Sequence, residues 1–412
     1  MERTPLTSYQ MKLLFFLSIA TFFEGYDFMA LTQILPNFRE NMGLSVFGGT
    51  AMVAFINFGT MVAYLLIRKA DVIGRRQMLM ITIIGYTIFT LFSGFAPNAY
   101  VFAFCQFVAR IFLIGEWLVS MIFAAEEFPA DRRGMVIGII QACSSLGAVV
   151  CAGVVPLLLK TNLGWRSVYF VGVIPLLLIA FARRNIKESQ RFEDGKPEEE
   201  EASNSLFAIF QSPYRNRMLL MAGIWCLTYM CTHNAITFWK EYALGEQKMS
   251  DGQVGLIITV GALAAMPVIF FAGKILDVWG RKAGAAAIYV ATVIGVVGVY
   301  TLDQTWAQIT TMILAVFGVT ATLSVMNTYS TELFPTNLRA NAFAWSNNLL
   351  GRIGYVFSPL LIGLCADTKY MGWGWGLTMQ LTTIFPLIAL MLILAFLPET
   401  RGRSLEETSA LE

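Results

Sequence analysis

A short charged motif occurs twice in this chain. Its first copy, DVIGRR, occupies 71–76 and its second copy, DVWGRK, occupies 277–282, so the two are 206 positions apart. The chain has 412 residues, and the offset is therefore half its length. A repeat of this size predicts a fold made of two homologous halves, each with the same succession of elements.

A second pair of motifs has the same offset. EEFP at 126–129 is followed by Arg133, and ELFP at 332–335 is followed by Arg339. Two unrelated motifs that share one offset are difficult to explain by chance. We therefore interpret the chain as a tandem duplication.

The segments between these motifs are long and apolar. Hydrophobic residues make up 57% of the chain and charged residues only 14%, which lies outside the range of soluble proteins. Apolar runs of about 20 residues recur throughout, and such runs are long enough to cross a bilayer as helices. The pattern excludes a soluble globular protein and predicts an integral membrane protein built of α-helices.

We predict twelve membrane spans, six in each half. The first six are expected at 13–38, 45–67, 77–96, 99–124, 133–159 and 166–184. The second six are expected at 217–243, 251–276, 284–302, 306–331, 340–366 and 373–397. The predicted domains are an N-terminal six-helix bundle at 1–187, a polar cytoplasmic linker at 188–216 and a C-terminal six-helix bundle at 217–412.

The distribution of Lys and Arg predicts the orientation. Basic residues are concentrated in the even-numbered loops and in the linker, and few occur in the odd-numbered loops. The positive-inside rule then places both termini and the linker in the cytoplasm. The net charge is only +2 and the basic residues lie in short loops, so no nucleic-acid partner is expected. The short loops favour the inner membrane of a bacterium.

The loop motifs resemble those of the major facilitator superfamily. The copy at 273–282 fits the signature G-x-x-x-D-x-x-G-R-R/K, whereas the copy at 67–76 has Ile67 in place of the leading glycine. The segments 188–191 and 398–403 resemble the domain ends of sugar porters and organic-ion transporters. The resemblance implies two six-helix bundles around a central cavity, which work by alternating access.

In this family, contacts between the loop motifs hold the cytoplasmic side closed, because charged side chains meet helix ends and one another. The resemblance carries this gating role to Asp71, Gly74, Arg75, Arg76, Glu126 and Arg133 in the first half, and to Asp277, Gly280, Arg281, Glu332 and Arg339 in the second. The alternative is that the arginines serve only the positive-inside topology. That alternative leaves the repeated aspartates and glycines unexplained.

Two carboxylates lie in the middle of the first predicted span, in EGYD at 24–27. The i, i+3 spacing places Glu24 and Asp27 on one helical face. Two close carboxylates in a low-dielectric site do not both ionise readily, which suits a proton carrier. The segment resembles the D-G-x-D signature of aromatic-acid and related organic-acid proton symporters, with Glu24 in place of the first aspartate. The alternative is a structural ion pair with Arg110 or another basic group.

Two arginines lie inside spans. Arg110 falls in the fourth span and Arg352 in the eleventh, and the equivalent positions of the other half are Val316 and Leu146. An arginine that is present in one half only favours a ligand or an ion pair over a role in the fold. The planar guanidinium suits carboxylate recognition. For Arg110, anion binding and pairing with a carboxylate of the first span both remain open.

Other polar and aromatic side chains complete the candidate site. Glu116, in a GEW sequence similar to that of organic-acid symporters, is predicted either to relay protons or to pair with a basic residue. Four further side chains are predicted to contact the substrate: Tyr26, Gln141, Trp345 and Asn347. Plain packing is the alternative for the aromatic residues, and hydrogen bonds between helices are the alternative for the amides. The single histidine, His233, is more typical of a core group than of a proton switch.

Together these features predict a proton-coupled symporter of a small organic anion. Arg352 and Arg110 would hold the carboxylate of the substrate, and Asp27 and Glu24 would carry the proton. The expected partners are the substrate, protons and the bilayer, and a monomer is expected. The chain has no P-loop, enzyme motif or clustered metal ligands, so an ATP-driven pump, an enzyme, a cofactor and a metal site are not predicted.

Two other functions remain open. A transporter of cations or neutral solutes would use the carboxylates of the first span to bind a cation or sugar hydroxyls, and the tail similar to that of sugar porters favours this. A receptor with a transporter fold would not transport at all. The paired loop motifs argue against the receptor, because a static protein needs no switch.

Overall fold

The computed structural model shows an all-helical chain. Its described residues are 5–67, 73–183, 207–403 and 407–408. Helices account for the regular structure in these ranges, and no strand occurs within them. The predicted fold class is therefore confirmed. Most of the predicted linker, 188–206, lies outside the described residues.

Contacts group the chain into two units. Unit 1 contains 1–43 and 55–203, and unit 2 contains 44–54 and 204–412. The first half of the chain supplies six helices: α1 (Ser8–Asn41), α2 (Val46–Ile67), α3 (Arg75–Gly94), α4 (Ala99–Glu127), α5 (Ala130–Leu158) and α6 (Arg166–Arg183). They follow the six predicted spans in order.

The second half repeats this order in shorter pieces. Its helices are α7 (Ala208–Gln211), α8 (Arg215–Thr237), α9 (Trp239–Gly245), α10 (Asp251–Trp279), α11 (Arg281–Val299), α12 (Thr305–Glu332), α13 (Thr336–Phe343), a π-helix (Ala344–Gly351), α14 (Arg352–Ala366), α15 (Gly374–Thr382) and α16 (Ile384–Phe396). The predicted spans 7, 11 and 12 are thus each built from consecutive helical segments. In span 12 the break precedes Pro386, which has no N–H to donate to the carbonyl of Thr382.

Within the described residues, eleven helical stretches are long and apolar enough to cross a membrane. The remaining predicted span coincides with α6, several of whose side chains lie outside the described residues. Tyr100 and Trp306, which occupy matched positions in the repeat, are 88% and 69% exposed at the starts of α4 and α12. Exposed aromatic rings at helix ends are typical of the membrane–water interface.

The glycine of each repeated motif has a backbone conformation that other residues rarely adopt. The φ angle is 105° at Gly74 and 97° at Gly280. The next helix begins at the following residue in each case, Arg75 or Arg281. Only glycine takes this conformation without strain, which explains why both copies of the motif keep it.

Close backbone contacts fix the helices that carry the candidate site. A Cβ atom added at Gly25 of α1 would overlap the carbonyl oxygen of Ser144 in α5, and one added at Gly147 would overlap that of Phe22. In unit 2, a Cβ atom added at Gly354 would overlap the carbonyl oxygen of Cys226 in α8. Glycine at these points lets two helices approach more closely than side chains would allow.

Candidate functional site

The ionisable side chains inside the predicted spans of unit 1 gather around the middle of α1. Asp27 is 4% exposed, Arg110 of α4 is 3% exposed and Glu116 of α4 is 3% exposed. The charges of all three act on Glu24. The structure therefore brings together the four ionisable residues that the sequence places inside the spans of the first half.

Arg110 is close to the α1 carboxylates without a direct bond to them. Its guanidinium lies over the ring of Phe28, 4.8 Å from the ring centroid, in a cation–π contact. Among the described residues no ion pair joins Arg110 to Glu24 or Asp27. The buried atoms Arg110 Nη1 and Glu24 Oε2 also have no hydrogen-bond partner there. The cluster thus retains capacity to bind a further group.

Glu116 is held by hydroxyl groups. Thr82 of α3 donates to Glu116 Oε2 at 2.6 Å, and Ser120 donates to Glu116 Oε1 at 3.3 Å. Sequence reasoning missed Thr82, which is 34 positions away on another helix. A threonine in an apolar span gives no signal that distinguishes such a role from a bond to its own helix.

Two substrate contacts predicted in the first half have different surroundings. The hydroxyl of Tyr26 is buried and donates to the carbonyl of Val168 at 3.2 Å. Tyr26 therefore ties α1 to α6. Gln141 lies exposed on α5.

In unit 2, the predicted substrate contacts lie in the π-helix or directly after it. Asn347 accepts a hydrogen bond of 2.8 Å from the hydroxyl of Tyr229 in α8. Arg352 lies directly after the π-helix and is half-buried, and its Nε is buried without a partner among the described residues. Trp345 instead packs on Phe207 and Phe210, with ring centroids 5.5 and 4.7 Å away. The predicted contacts of the eleventh span are therefore split between two environments.

The loop motifs form ion pairs in both units. In unit 1, Arg75 binds Glu126 Oε1 through Nε at 3.2 Å and through Nη2 at 3.1 Å. Arg76 is exposed at the start of α3. Asp71 and the side chain of Arg133 lie outside the described residues.

The motif of unit 2 is described in full. Arg281 Nη2 lies 2.7 Å from Glu332 Oε1, and Arg281 Nη1 lies 2.8 Å from Asp277 Oδ1. Arg339, predicted to belong to the same gate, donates from Nε to the carbonyl of Phe334 at 3.3 Å. Arg281 is therefore the centre of this network.

The C-terminal tail completes the network through residues to which sequence analysis gave no role. Glu399 accepts the N–H groups of Arg281 at 2.7 Å and Lys282 at 3.0 Å, so it caps the N-terminus of α11. Thr400 donates to Glu332. The resemblance of 398–403 to the tails of sugar porters was the available signal. It marked the segment without indicating what the segment touches.

The environment of Glu399 favours its ionised form. Burial acts to raise the pKa of this carboxyl group. The N–H groups of Lys282, Arg281 and Arg401, together with the charge of Arg281, outweigh burial and lower the pKa below its ordinary value. The carboxylate therefore stays charged on the helix N-terminus at neutral pH.

Comparisons with known proteins agree with this architecture. The family model described as Major Facilitator Superfamily matches residues 17–359 and 226–411. The chain is 25% identical to the probable 4-methylmuconolactone transporter of Cupriavidus pinatubonensis, over 93% of this chain and 89% of the relative. It is also 25% identical to the sialic acid transporter NanX of Escherichia coli, over 93% of each chain.

Among solved structures, the fold is similar to the inward-open xylose transporter XylE of Escherichia coli. The TM-score is 0.76 at 17% identity, over 97% of this chain and 98% of that chain. At this identity the likeness concerns the fold alone.

Proposed function

Because this chain belongs to the Major Facilitator Superfamily and is a membrane transporter rather than an enzyme, we propose that it is a proton-coupled symporter of a small organic anion. The substrate carries a carboxylate. The proton and the anion cross together as the protein alternates between its two open states. The two units take different parts in this cycle.

The observation that carries the proposal is the buried cluster in unit 1. The charge of Arg110 acts on both Glu24 and Asp27. Among the described residues no ion pair neutralises either α1 carboxylate. A buried carboxylate without a paired cation is costly, and binding a proton removes that cost. Glu24 and Asp27 are therefore suited to load and release a proton, with Glu116 as a relay.

Arg352 supports the anion-binding part of the proposal. Its guanidinium is half-buried and offers an unpartnered Nε, and Asn347 precedes it by five residues. A guanidinium binds a carboxylate through two parallel hydrogen bonds. The relatives are named as transporters of 4-methylmuconolactone and of sialic acid, and both compounds are organic acids.

Charge balance links the two parts. A bound carboxylate neutralises Arg352, and a bound proton neutralises an α1 carboxylate. The loaded protein then carries less uncompensated charge through the low-dielectric interior than the empty one does. This is the physical reason why anion and proton are expected to move together.

The same proposal includes the gate and the topology. The ion pairs Arg75–Glu126 and Arg281–Glu332 lie beside the repeated motifs, whose loops are rich in basic residues. We expect these pairs to stabilise one closed state on the cytoplasmic side of the bacterial inner membrane, where both termini lie. A monomer suffices, because each candidate group belongs to one chain.

Replacement of Asp27 by asparagine tests the proton-carrying role. Asp27→Asn retains the size and hydrogen bonding of the side chain but cannot carry a proton. Uptake driven by a pH gradient is therefore expected to fall by about 10²-fold or more. Exchange of internal for external substrate, which needs no net proton movement, should persist. The measurement is uptake of radiolabelled carboxylates into proteoliposomes, with Glu40→Gln as the control for an exposed carboxylate of α1. Undiminished accumulation by Asp27→Asn would remove this role.

A further inference from the structure

We propose that three rings of unit 2 select the substrate by its shape: Tyr229, His233 and Tyr355, here called the ring wall, favour flat conjugated carboxylates over puckered ones of equal size. The inference rests on the proposed function, because it names the substrate class of the site at Arg352. It adds three residues to that site. None of them was predicted to contact the substrate.

The ring wall is a compact group on α8 and α14. The ring centroids of His233 and Tyr355 are 5.3 Å apart, those of Tyr229 and His233 are 5.6 Å apart, and those of Tyr229 and Tyr355 are 6.0 Å apart. Trp225, which is 1% exposed, stacks on Tyr229 at 5.3 Å and supports it from within the unit. Both tyrosines are buried, whereas His233 is only half-buried. The imidazole is therefore the part of the wall that a ligand reaches most easily.

The π-helix places the polar groups of the site on one side. In an α-helix, residues five apart point about 140° away from each other, because a turn contains 3.6 residues. In a π-helix the i→i+5 hydrogen bond stacks such residues. The N–H of Arg352 donates to the carbonyl of Asn347 in this way. Asn347 and Arg352 therefore face the same region, which α-helical geometry would not allow.

The polar groups beside the ring wall are prepared for an anion. The Tyr229 hydroxyl donates to the carboxamide oxygen of Asn347, so the amide nitrogen of Asn347 remains as a donor. Arg352 is near enough for its charge to act on both Tyr229 and His233. Its buried Nε has no partner within the described part of the chain. A ligand carboxylate would satisfy these donors while the rest of the ligand lies against the rings.

Comparison of the repeats shows how unit 2 came to differ from unit 1. His233 occupies the position equivalent to Asp27, and Asn347 occupies that equivalent to Gln141. A carboxylate at position 233 would pair with Arg352 and compete with the substrate. The repeat thus has an acid where a proton is carried and an imidazole where an anion is bound.

The chemistry of the ring wall indicates the ligand class. Aromatic rings pack on other flat rings in offset or edge-to-face arrangements, and such pairs add to the burial of apolar area. A saturated ring is puckered and has no π face, so it gains less from contact with an aromatic ring. The site is therefore suited to a carboxylate attached to an aromatic ring or to a conjugated chain.

Benzoate and cyclohexanecarboxylate provide the test, because each has one carboxylate on a six-membered ring and only the first is flat. Competition of each acid against radiolabelled uptake in proteoliposomes gives two apparent affinities. We expect the wild type to prefer benzoate by about two- to tenfold, the range that one favourable ring pair contributes. Tyr355→Leu should abolish most of this preference, and Tyr355→Phe, which retains the ring, should restore it.

Three further variants separate shape selection from folding. Tyr229→Phe keeps the ring but loses the bond to Asn347, so it should weaken both acids equally and leave their ratio unchanged. His233→Asp should weaken both acids at least tenfold through competition for Arg352. His233→Gln, which removes the ring without adding a charge, should instead lower the preference for benzoate. If Tyr355→Leu does not fold, His233→Gln still decides the matter, because a benzoate preference that this variant leaves unchanged would overturn the ring wall.

Equal affinity of the wild type for the two acids, or binding of neither, would overturn the ring wall as a specificity site. An unchanged ratio in Tyr355→Leu would do so as well. The proposed function would survive these results if another carboxylate drives proton uptake. It would fail separately if no carboxylate does.

Discussion

Thr82 is the residue whose role is most local and most easily isolated. Its hydroxyl lies 2.6 Å from the buried Glu116 carboxylate and 2.8 Å from the carbonyl of Met78 in its own helix. The hydroxyl of Thr87, five residues further along α3, bonds only to Ile83 of its own helix. Both threonines are buried. The two positions therefore differ in what the hydroxyl holds and in little else.

We expect Thr82→Val to lower the stability of the protein by about 1.5–3 kcal/mol, the range for a hydrogen bond to a charged group. Thr87→Val is the matched control and should cost clearly less, because Ile83 O keeps its helical bond. Thermal unfolding of the detergent-purified variants measures the difference. Equal losses in the two variants would show that Glu116 does not depend on Thr82.

The carboxylate of Glu399 at the N-terminus of α11 leads to a prediction about pH. A carboxyl group whose pKa is lowered by folding stabilises the folded state above its unfolded pKa, and this stabilisation is lost as the pH falls through the lowered folded value. Glu399→Gln should therefore be less stable than the wild type at pH 7. This gap, the difference in free energy of unfolding between the two proteins, should disappear in acid. Glu40→Gln, at an exposed position, should show no such gap. A gap for Glu399→Gln that is the same at pH 7 and in acid would contradict the capping role.

At the scale of single residues, the sequence indicated the ionisable residues inside the spans but not the residues that bind charged groups. Asp27, Glu24 and Arg110 stood out because an ionisable residue in an apolar span is rare. Thr82 and Glu399 did not, because a threonine in a span is common and a glutamate in a tail has many uses. Their roles depend on contacts between distant segments, which spacing along the chain does not reveal.

Among the helices, the contact of α1 with α5 decides whether the carboxylates of unit 1 are held in place. It depends on Gly25, where a Cβ atom would overlap a backbone carbonyl oxygen of α5. Backbone atoms cannot move aside as a flexible side chain does. The helices must separate if this glycine is replaced.

We expect Gly25→Ala to destabilise the protein by about 1–3 kcal/mol through overpacking, and to reduce the fraction that purifies as a single species. Gly138 is the matched control, since it also lies in a helix but has no atom within 4 Å of an added Cβ. Gly138→Ala should be neutral or stabilising by up to about 1 kcal/mol. Size-exclusion profiles and thermal unfolding compare the two, and similar behaviour would argue against a close α1–α5 contact.

The positions of the helices were predictable, but their interruptions were not. Twelve apolar runs bounded by turn residues located the spans within a few residues. The π-helix at 344–351 and the break at Phe238 left no trace, because a run that is apolar on every side shows no change of period. These irregular segments carry or adjoin Asn347, Arg352 and Lys240, so the least predictable elements lie close to polar groups.

For the molecule as a whole, the duplication explains both the likeness and the difference of the two units. The offset of 206 residues, read from two loop motifs, continues through the helices: α3 begins at Arg75 and α11 at Arg281. The scaffold and the loop ion pairs are repeated. The ionisable residues inside the spans are not repeated. The position equivalent to Asp27 is His233, and the position equivalent to Arg352 is Leu146. We infer that the function arose by divergence of these positions on a shared scaffold.

Substrate-induced proton movement tests the central claim most directly. Purified protein in proteoliposomes, with the membrane potential clamped by valinomycin and K⁺, is offered carboxylates, sugars and organic cations in turn while the external pH is recorded. Proton-coupled anion symport predicts alkalinisation of the external medium with carboxylates alone, and none with the Asp27→Asn protein. Proton movement with sugars or cations alone, or solute exchange with no proton movement for any class, would contradict it.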